Sequence, residues 1–351
     1  MIRVLALFSG SLASRIAARL VQQHPDVESV CLLHFRSPFS REPEDLRGLA
    51  KSEWAGSAFR TQSLKREFRR LIDLDCSGGF KLAESCAKCR HLLLHRAAKY
   101  MERTGAEYLV TGEIPGLHGV SGETLQHLED ECGLSGKVLR PLFARTPSRL
   151  PANLKSWAKC SGTLRDPDRD PWLERLAESM GLDISDTMSS SARCKLTLPG
   201  FGERVTRLFS EPGFSLNELR LLDFPLFYGI RPDTKLVVAM NEQEKRELQN
   251  LFLPTDLRVY TAAPHGPMTL VRTGWNERSV GGREEVIEIA ARITATHIDG
   301  DSNMLCPIYY RFENQNERLL VNVLPFGSCK QIADLEGVEV VPLCATPIPA
   351  V

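Results

Sequence analysis

The sequence has no excess charge of either sign. Lys+Arg and Asp+Glu stand at 44 each, so the chain as a whole is no electrostatic bait for nucleic acid or a membrane surface. Any such affinity has to come from a local patch. There is no run of about 18 apolar residues, so no transmembrane helix and no membrane partner are expected. The apolar part of the opening "MIRVLALFSGS" is too short for a signal peptide, and a cytoplasmic location is the expectation. Internal repeats and low-complexity tracts are missing too. Ten cysteines are spread over 351 residues, too sparsely for a disulfide framework. Most are single and flanked by apolar residues, as Cys31 and Cys344 are, and read as small buried hydrophobes.

What remains is a soluble composition, 42% hydrophobic and 25% charged, in a chain long enough for two domains. The first third alternates strand and helix signals. Val4 to Phe8 is a short continuous apolar run, the mark of a strand buried on both faces. "SLASRIAARLVQQH" follows at helical spacing and stops at Pro25. "VESVCLLHF" predicts a second strand, "RLIDLD" (70–75) a third and "AEYLVTGE" a fourth, with a helix over "CAKCRHLLLHRAAKYMERTG" before the last of them. Such alternation predicts a parallel sheet with helices on both faces. From about residue 137 the character changes to a basic connector. From about 216, strand-like runs ("KLVVAM", "LRVYTA", "MTLVRTG", "LLVNVL", "VEVVPL") and two helical stretches predict a separate, smaller α/β domain.

The loop after the first strand, Ser9-Gly10-Ser11-Leu12-Ala13-Ser14, has the geometry that favours anions. Backbone N–H groups of the loop and of the helix's first turn are unpaired, and the helix dipole adds partial positive charge. Ser9, Ser11 and Ser14 add hydroxyl donors. The pattern is neither a Walker A loop nor GxGxxG, and an ordinary βα turn with a serine N-cap fits it equally well.

Two further features carry chemistry. Cys86 and Cys89, in "ESCAKCRHLL", can face one metal or cluster or act as a redox dithiol. Placement near a helix start beside Lys88 and Arg90 is expected to favour the thiolates. Residues 137 to 165 hold seven basic residues and no acidic one. Arg140, Arg145, Arg149, Lys155 and Lys159 are its candidate RNA contacts, with Phe143 and Trp157 interleaved; the competing reading is a solvated connector. His34 and Phe35, at the end of the second strand, and Gly112, in the turn after the fourth, fall at the carboxyl edge of the sheet, where parallel sheets bind ligands.

"FSGSLAS" resembles the PP-loop, "SGGxDS", of the ATP pyrophosphatase superfamily, and further landmarks follow in the order of its tRNA thiouridylase branch. "ESCAKCRHLLLHRAAKYMERTGAEYLVTGE" is similar to that branch's Cys-x-x-Cys helix and strand end, "VLRPLFA" to its "LRPLSA" segment, "SSSARCKLT" to its second cysteine region, and "LVVAMNEQEKREL" to a stretch of an appended domain. The resemblance spans residues 1 to about 250. It implies a HUP/PP-loop (adenine nucleotide alpha hydrolase-like) domain, here over 1–136. The basic and helical region carrying Cys194 (137–215) and the C-terminal α/β domain (216–351) rest on the changes of sequence character at 137 and 216.

The resemblance further implies ATP held by Ser9, Gly10, Ser11, Ser14, His34, Phe35 and Gly112, with Mg²⁺, and tRNA as the partner. Sulfur from a donor protein or sulfide would be carried by Cys86, Cys89 and Cys194, as a [4Fe–4S] cluster or a persulfide. A uridine carbonyl would be adenylated and AMP displaced by sulfur. The departures are Ser11 for the second glycine, Ala13 for the aspartate, and Ala192-Arg193-Cys194 for "GGC". They open the alternative of a catalytically degenerate homologue acting as a nucleotide-, RNA- or iron–sulfur-binding protein, or of a redox protein whose cysteines work alone.

Overall fold

A computed structural model describes residues 1–41, 45–64, 66–72, 80–114, 119–142, 171–184, 194–198, 200–210, 214–263, 265–298, 303–335 and 337–340. The chain divides into two compact units, Met1–Gly202 and Glu203–Cys344.

The first unit is built on five parallel strands, β1 (Ile2–Leu7), β2 (Val27–Arg36), β3 (Ala58–Ser63), β4 (Tyr108–Val110) and β5 (Val138–Leu139), in the order β3-β2-β1-β4-β5. Side chains alternate across the sheet. On β1, Val4 and Ala6, with Phe8 beyond its end, pack with α1 (Leu12–Gln22), α2 (Leu46–Glu53) and α5 (Pro171–Ser179). Leu5, with Leu33 and Leu109 of neighbouring strands, packs with α3 (Leu82–Thr104) and α4 (Gly122–Glu131) on the other face. Both faces are therefore covered, as the continuous apolar runs of β1 and β2 require. Gly105, at φ 65°, ends α3 in the left-handed conformation that favours glycine.

The third strand is not where the sequence pattern placed it. It runs over Ala58–Ser63, inside the long polar stretch, and Phe68–Leu71 is a 3₁₀ turn; 73–75 lie outside the described residues. Among the described residues β3 is an edge strand paired only with β2, and its exposed residues Arg60, Thr61 and Ser63 hide the apolar signal that marks an interior strand.

The second unit holds a seven-stranded, wholly antiparallel sheet: β6 (Leu226–Ile230), β7 (Thr234–Ala239), β8 (Leu257–Thr261), β9 (Met268–Arg272), β10 (Cys306–Phe312), β11 (Leu319–Val323) and β12 (Val338–Val340), in the order β11-β10-β8-β9-β7-β6-β12. Its helices are α6 (Phe201–Ser210, beginning at the unit boundary), α7 (Leu216–Leu221), α8 (Glu242–Gln249), α9 (Val280–Thr296) and α10 (Cys329–Ala333). Val286, Ala290, Ala291 and Ile293 of α9 close the core over Leu236, Val259, Val271 and Ile308. No helix among the described residues is long and apolar enough to cross a membrane.

A candidate nucleotide and sulfur site

β1 hands the chain to a strand on one side, β2, while β4 lies on its other side. The loops that leave β1 and β4 therefore diverge to opposite faces and open a crevice at the carboxyl edge of the sheet. The loop after β1 is Ser9 to Ser11, with Gly10 at φ 77°, a value a residue with a Cβ reaches only at a cost. Ser11 caps α1, its Oγ accepting from Ser14 N at 3.3 Å. Ser9 Oγ lies 3.0 Å from Ser11 Oγ and 3.3 Å from Ser14 Oγ. The hydroxyls of Ser9, Ser11 and Ser14 thus form one polar knot at a helix N-terminus, the arrangement that receives an anion through backbone donors and the helix dipole.

Buried Arg15 fixes this helix, its guanidinium bonded to Glu53 and to the Asp183 carbonyl. From the other side comes the turn after β4. A Cβ on Gly112 would stand 2.5 Å from both the carbonyl carbon of Ala13 and the nitrogen of Ser14. Only glycine lets these two backbones meet.

A cavity of about 260 Å³ opens over this junction. Its walls include Ser9, Ser11, Ser14, His34, Phe35 and Gly112, together with Cys89 and Cys194. The expected nucleotide-contacting residues thus gather in one place, apart from Gly10, which is buried in the loop itself. His34 is buried, its Nδ1 2.9 Å from the Phe8 carbonyl oxygen, and its ring stacks on Phe59. Cys194 reaches the cavity because its segment is stitched to the loop after β2: it forms a β-bridge with Ser40, and Lys195 N donates to the Phe39 carbonyl at 2.8 Å. Sequence reasoning assigned no role to Arg41, Thr111 and Glu113, which also line the cavity. Glu113 directly follows the glycine turn of "TGE", the signal that could have found it.

The thiol electrostatics run against the sequence expectation. α3 begins at Leu82, so Cys86 and Cys89 stand beyond its first turn, past the unpaired N–H groups. Burial pushes Cys89 up to about 11, and the nearby Cys86 adds to the rise. Burial pushes Cys194 up to about 12, with Cys86 and Cys89 adding to it. Cys86 is raised by burial as well, against the pull of Arg90. Folding thus disfavours the thiolate at all three cysteines.

Arg140 was expected to face RNA. Instead it is 7% exposed and bonded to Glu113 at 3.1 Å and to Glu129. Its charge serves a buried network, in which burial pushes Glu113 up but Arg140 and Arg90 outweigh it and hold that carboxyl below its ordinary value. Arg145, Arg149, Lys155 and Lys159 lie outside the described residues.

Whether these residues fit the implied metals follows from their chemistry. Mg²⁺ prefers hard carboxylate oxygens together with phosphates. The loop offers hydroxyls, Ala13 is 2% exposed within the apolar core, and Glu113 is tied to two arginines. The loop therefore does not fit a protein-held Mg²⁺. Three thiols suit a cluster in kind, yet among the described residues no group of three His, Cys, Asp or Glu is placed to hold a metal ion.

Comparisons with known proteins add one family and three structures. Residues 228–331 match the model of the NFACT protein RNA binding domain. No curated protein matches the chain. Solved structures with some likeness include the C-terminal part of the fibronectin/fibrinogen-binding protein from Streptococcus suis (14% identity, 50% of this chain and 71% of that one, TM-score 0.26). A predicted tRNA methyltransferase subunit from Methanocaldococcus jannaschii is another (14%, 54% and 92%, TM-score 0.30). The third is the U34-tRNA thiolase NcsA from Methanococcus maripaludis with its [4Fe-4S] cluster (15%, 63% and 71%, TM-score 0.31). At these TM-scores the likenesses carry no functional weight.

Proposed function

We propose that the chain binds ATP in the first unit and transfers sulfur to a uridine of tRNA, which the second unit helps to hold. The observation that carries this reading is that Ser9, Ser11 and Ser14 share one cavity with Cys89 and Cys194. A phosphate seated on the serine knot places the rest of a nucleotide along the carboxyl edge, beside His34 and Phe35. The uridine carbonyl oxygen attacks the α-phosphorus and pyrophosphate leaves. A donor of the persulfide class passes its outer sulfur to the Cys194 thiol and leaves as a thiol. The terminal sulfur of that persulfide attacks the activated carbon and AMP leaves. The Cys89 thiol, on the same cavity, then attacks the Cys194 sulfur, which frees the thiolated uridine and leaves a Cys89–Cys194 disulfide for an external thiol to reduce. The match of residues 228–331 to an RNA-binding domain model supports RNA as the partner.

Ala13 favours a second reading. With no carboxylate at the loop and Ala13 inside the core, the cavity holds a nucleotide without cleaving it. The test is to incubate the full chain with ATP, Mg²⁺, a persulfide donor, a thiol reductant and tRNA and to follow AMP. AMP that requires tRNA supports sulfur transfer. ATP binding without AMP supports the second reading, and no ATP binding overturns both.

A further inference from the structure

In the second unit, strand alternation leaves a strip of the sheet turned away from α9. Leu257 and Val259 of β8 and Ile308 of β10 are fully buried in the core under that helix. The residues between them, Arg258 and Tyr260 on β8 and Tyr309 and Arg311 on β10, must face the other way. None of these four is fully buried. The antiparallel register sets Tyr309 directly against Tyr260 and Arg311 against Arg258.

The two tyrosine rings are stacked, with centroids 6.0 Å apart and planes 26° from parallel. Exposed Arg318, before β11, places its guanidinium 5.3 Å from the centre of the Tyr309 ring. Three flat groups therefore continue one another along the surface. Arginines directly opposed across a strand pair repel. Here Glu313, 2.6 Å from Arg258 and 3.7 Å from Arg311, serves both. The strip thus sets three arginines against one paired carboxylate and keeps a positive surplus beside the rings.

Stacked aromatics flanked by arginine are what unpaired bases and their phosphates recognise. We propose that Tyr260 and Tyr309, with Arg318 over the outer ring, are a platform on which unpaired bases of an RNA strand stack, while Arg258 and Arg311 draw its phosphates. The inference rests on the RNA-acting reading above and names the surface that does the holding. It favours single strands over duplex, because paired bases hide their faces. It sets little sequence preference, because every base has a π-face. Salt weakens the binding, since phosphate contacts release counterions.

The test uses the full chain and needs neither ATP nor sulfur. Affinity is measured for an unstructured oligouridine, for an unstructured oligoadenine and for a blunt RNA duplex, with wild type, Tyr309→Ala, Tyr309→Phe, Tyr260→Ala and Arg318→Ala. Circular dichroism confirms that each variant folds. The alanine tyrosine variants are expected to lose about five- to a hundredfold in affinity for the single strands. Tyr309→Phe, which keeps the ring, stays near wild type, and the duplex binds more weakly throughout. If wild type binds no RNA, the RNA-acting reading fails and the platform with it. If wild type binds single strands and Tyr309→Ala and Tyr260→Ala bind equally well, the platform alone is overturned. Equal losses in Tyr309→Phe and Tyr309→Ala, or self-association in place of RNA binding, overturn it as well.

Discussion

A methyl group on Gly112 would stand 2.5 Å from the backbone nitrogen of Ser14. The turn after β4 and the first turn of α1 are in backbone contact, and the floor of the cavity is that contact. Gly112→Ala has no flexible side chain to displace. It is expected to push the two loops apart, at about 1–3 kcal/mol of stability, and to lower ATP affinity far more than a surface change of equal size. Urea unfolding and equilibrium ATP binding, run on the same preparation, check both effects.

Ser11 both caps α1 and lines the cavity. Ser11→Ala removes the cap at a cost of about 1 kcal/mol and weakens ATP binding. Ser11→Asp keeps a capping oxygen and sets a negative charge against the phosphate. It should therefore recover stability while abolishing ATP binding, and a pair of thermal melts with a binding titration separates the two roles.

Arg140 holds Glu113 and Glu129 together inside the first unit. Arg140→Met takes the cation from buried Glu129 and leaves Glu113 with Arg90 alone, and is expected to cost about 3–5 kcal/mol. The two carboxyls answer acid with opposite signs: burial raises Glu129, whose contribution is kept at low pH and lost as pH rises, whereas the arginines lower Glu113. Glu113 sits below its ordinary value, so its contribution is present above the ordinary carboxylate range and fades as pH falls through the folded value. Wild type loses the Glu113 contribution on acidification, and the variant, in which only Arg90 still lowers that carboxyl, shows a shallower acid limb in denaturant titrations.

The cysteines titrate on the alkaline side. Cys89 and Cys194 rise from an ordinary 9.0 to about 11 and about 12. A thiol whose value is raised by folding stabilises the fold fully below its unfolded value and loses that contribution as pH climbs toward the folded one. Alkylation of Cys89 and Cys194 in the chain without ligand is therefore expected to be slow near pH 8 compared with a free cysteine peptide, and to accelerate only above about pH 10. Rapid labelling at pH 7 would show a cavity more polar, or more open, than this one.

Much of the first unit was legible because its signals are local. The apolar runs of β1 and β2 and the 3.6-residue spacing of α1 state their own burial. β3 escaped because an edge strand exposes polar residues, and its length alone does not separate it from loop. In the second unit β6 and β10 went unmarked: "LFYGI" and "CPIYYRF" mix aromatic and polar residues on two faces, with Pro307 inside β10. At the site, the serines, His34, Phe35 and Gly112 were readable as ends of strands. The fate of Arg140 was not, since its partners, Glu113 and Glu129, come from a turn and from a helix, α4, that the pattern did not reveal. The raised thiols were misjudged for a related reason: proximity to basic residues is visible in sequence, and burial is not.

In the proposed reaction one cavity joins nucleotide and sulfur chemistry on RNA. The most direct measurement of that reaction is mass spectrometry of tRNA nucleosides after incubation of tRNA with the full chain, ATP, Mg²⁺, a persulfide donor and a thiol reductant, for wild type and for Cys194→Ser. Wild type is expected to yield a uridine in which one oxygen has been exchanged for sulfur, formed only with ATP and absent with Cys194→Ser. Unchanged nucleosides with wild type, under conditions where ATP and tRNA both bind, would contradict it.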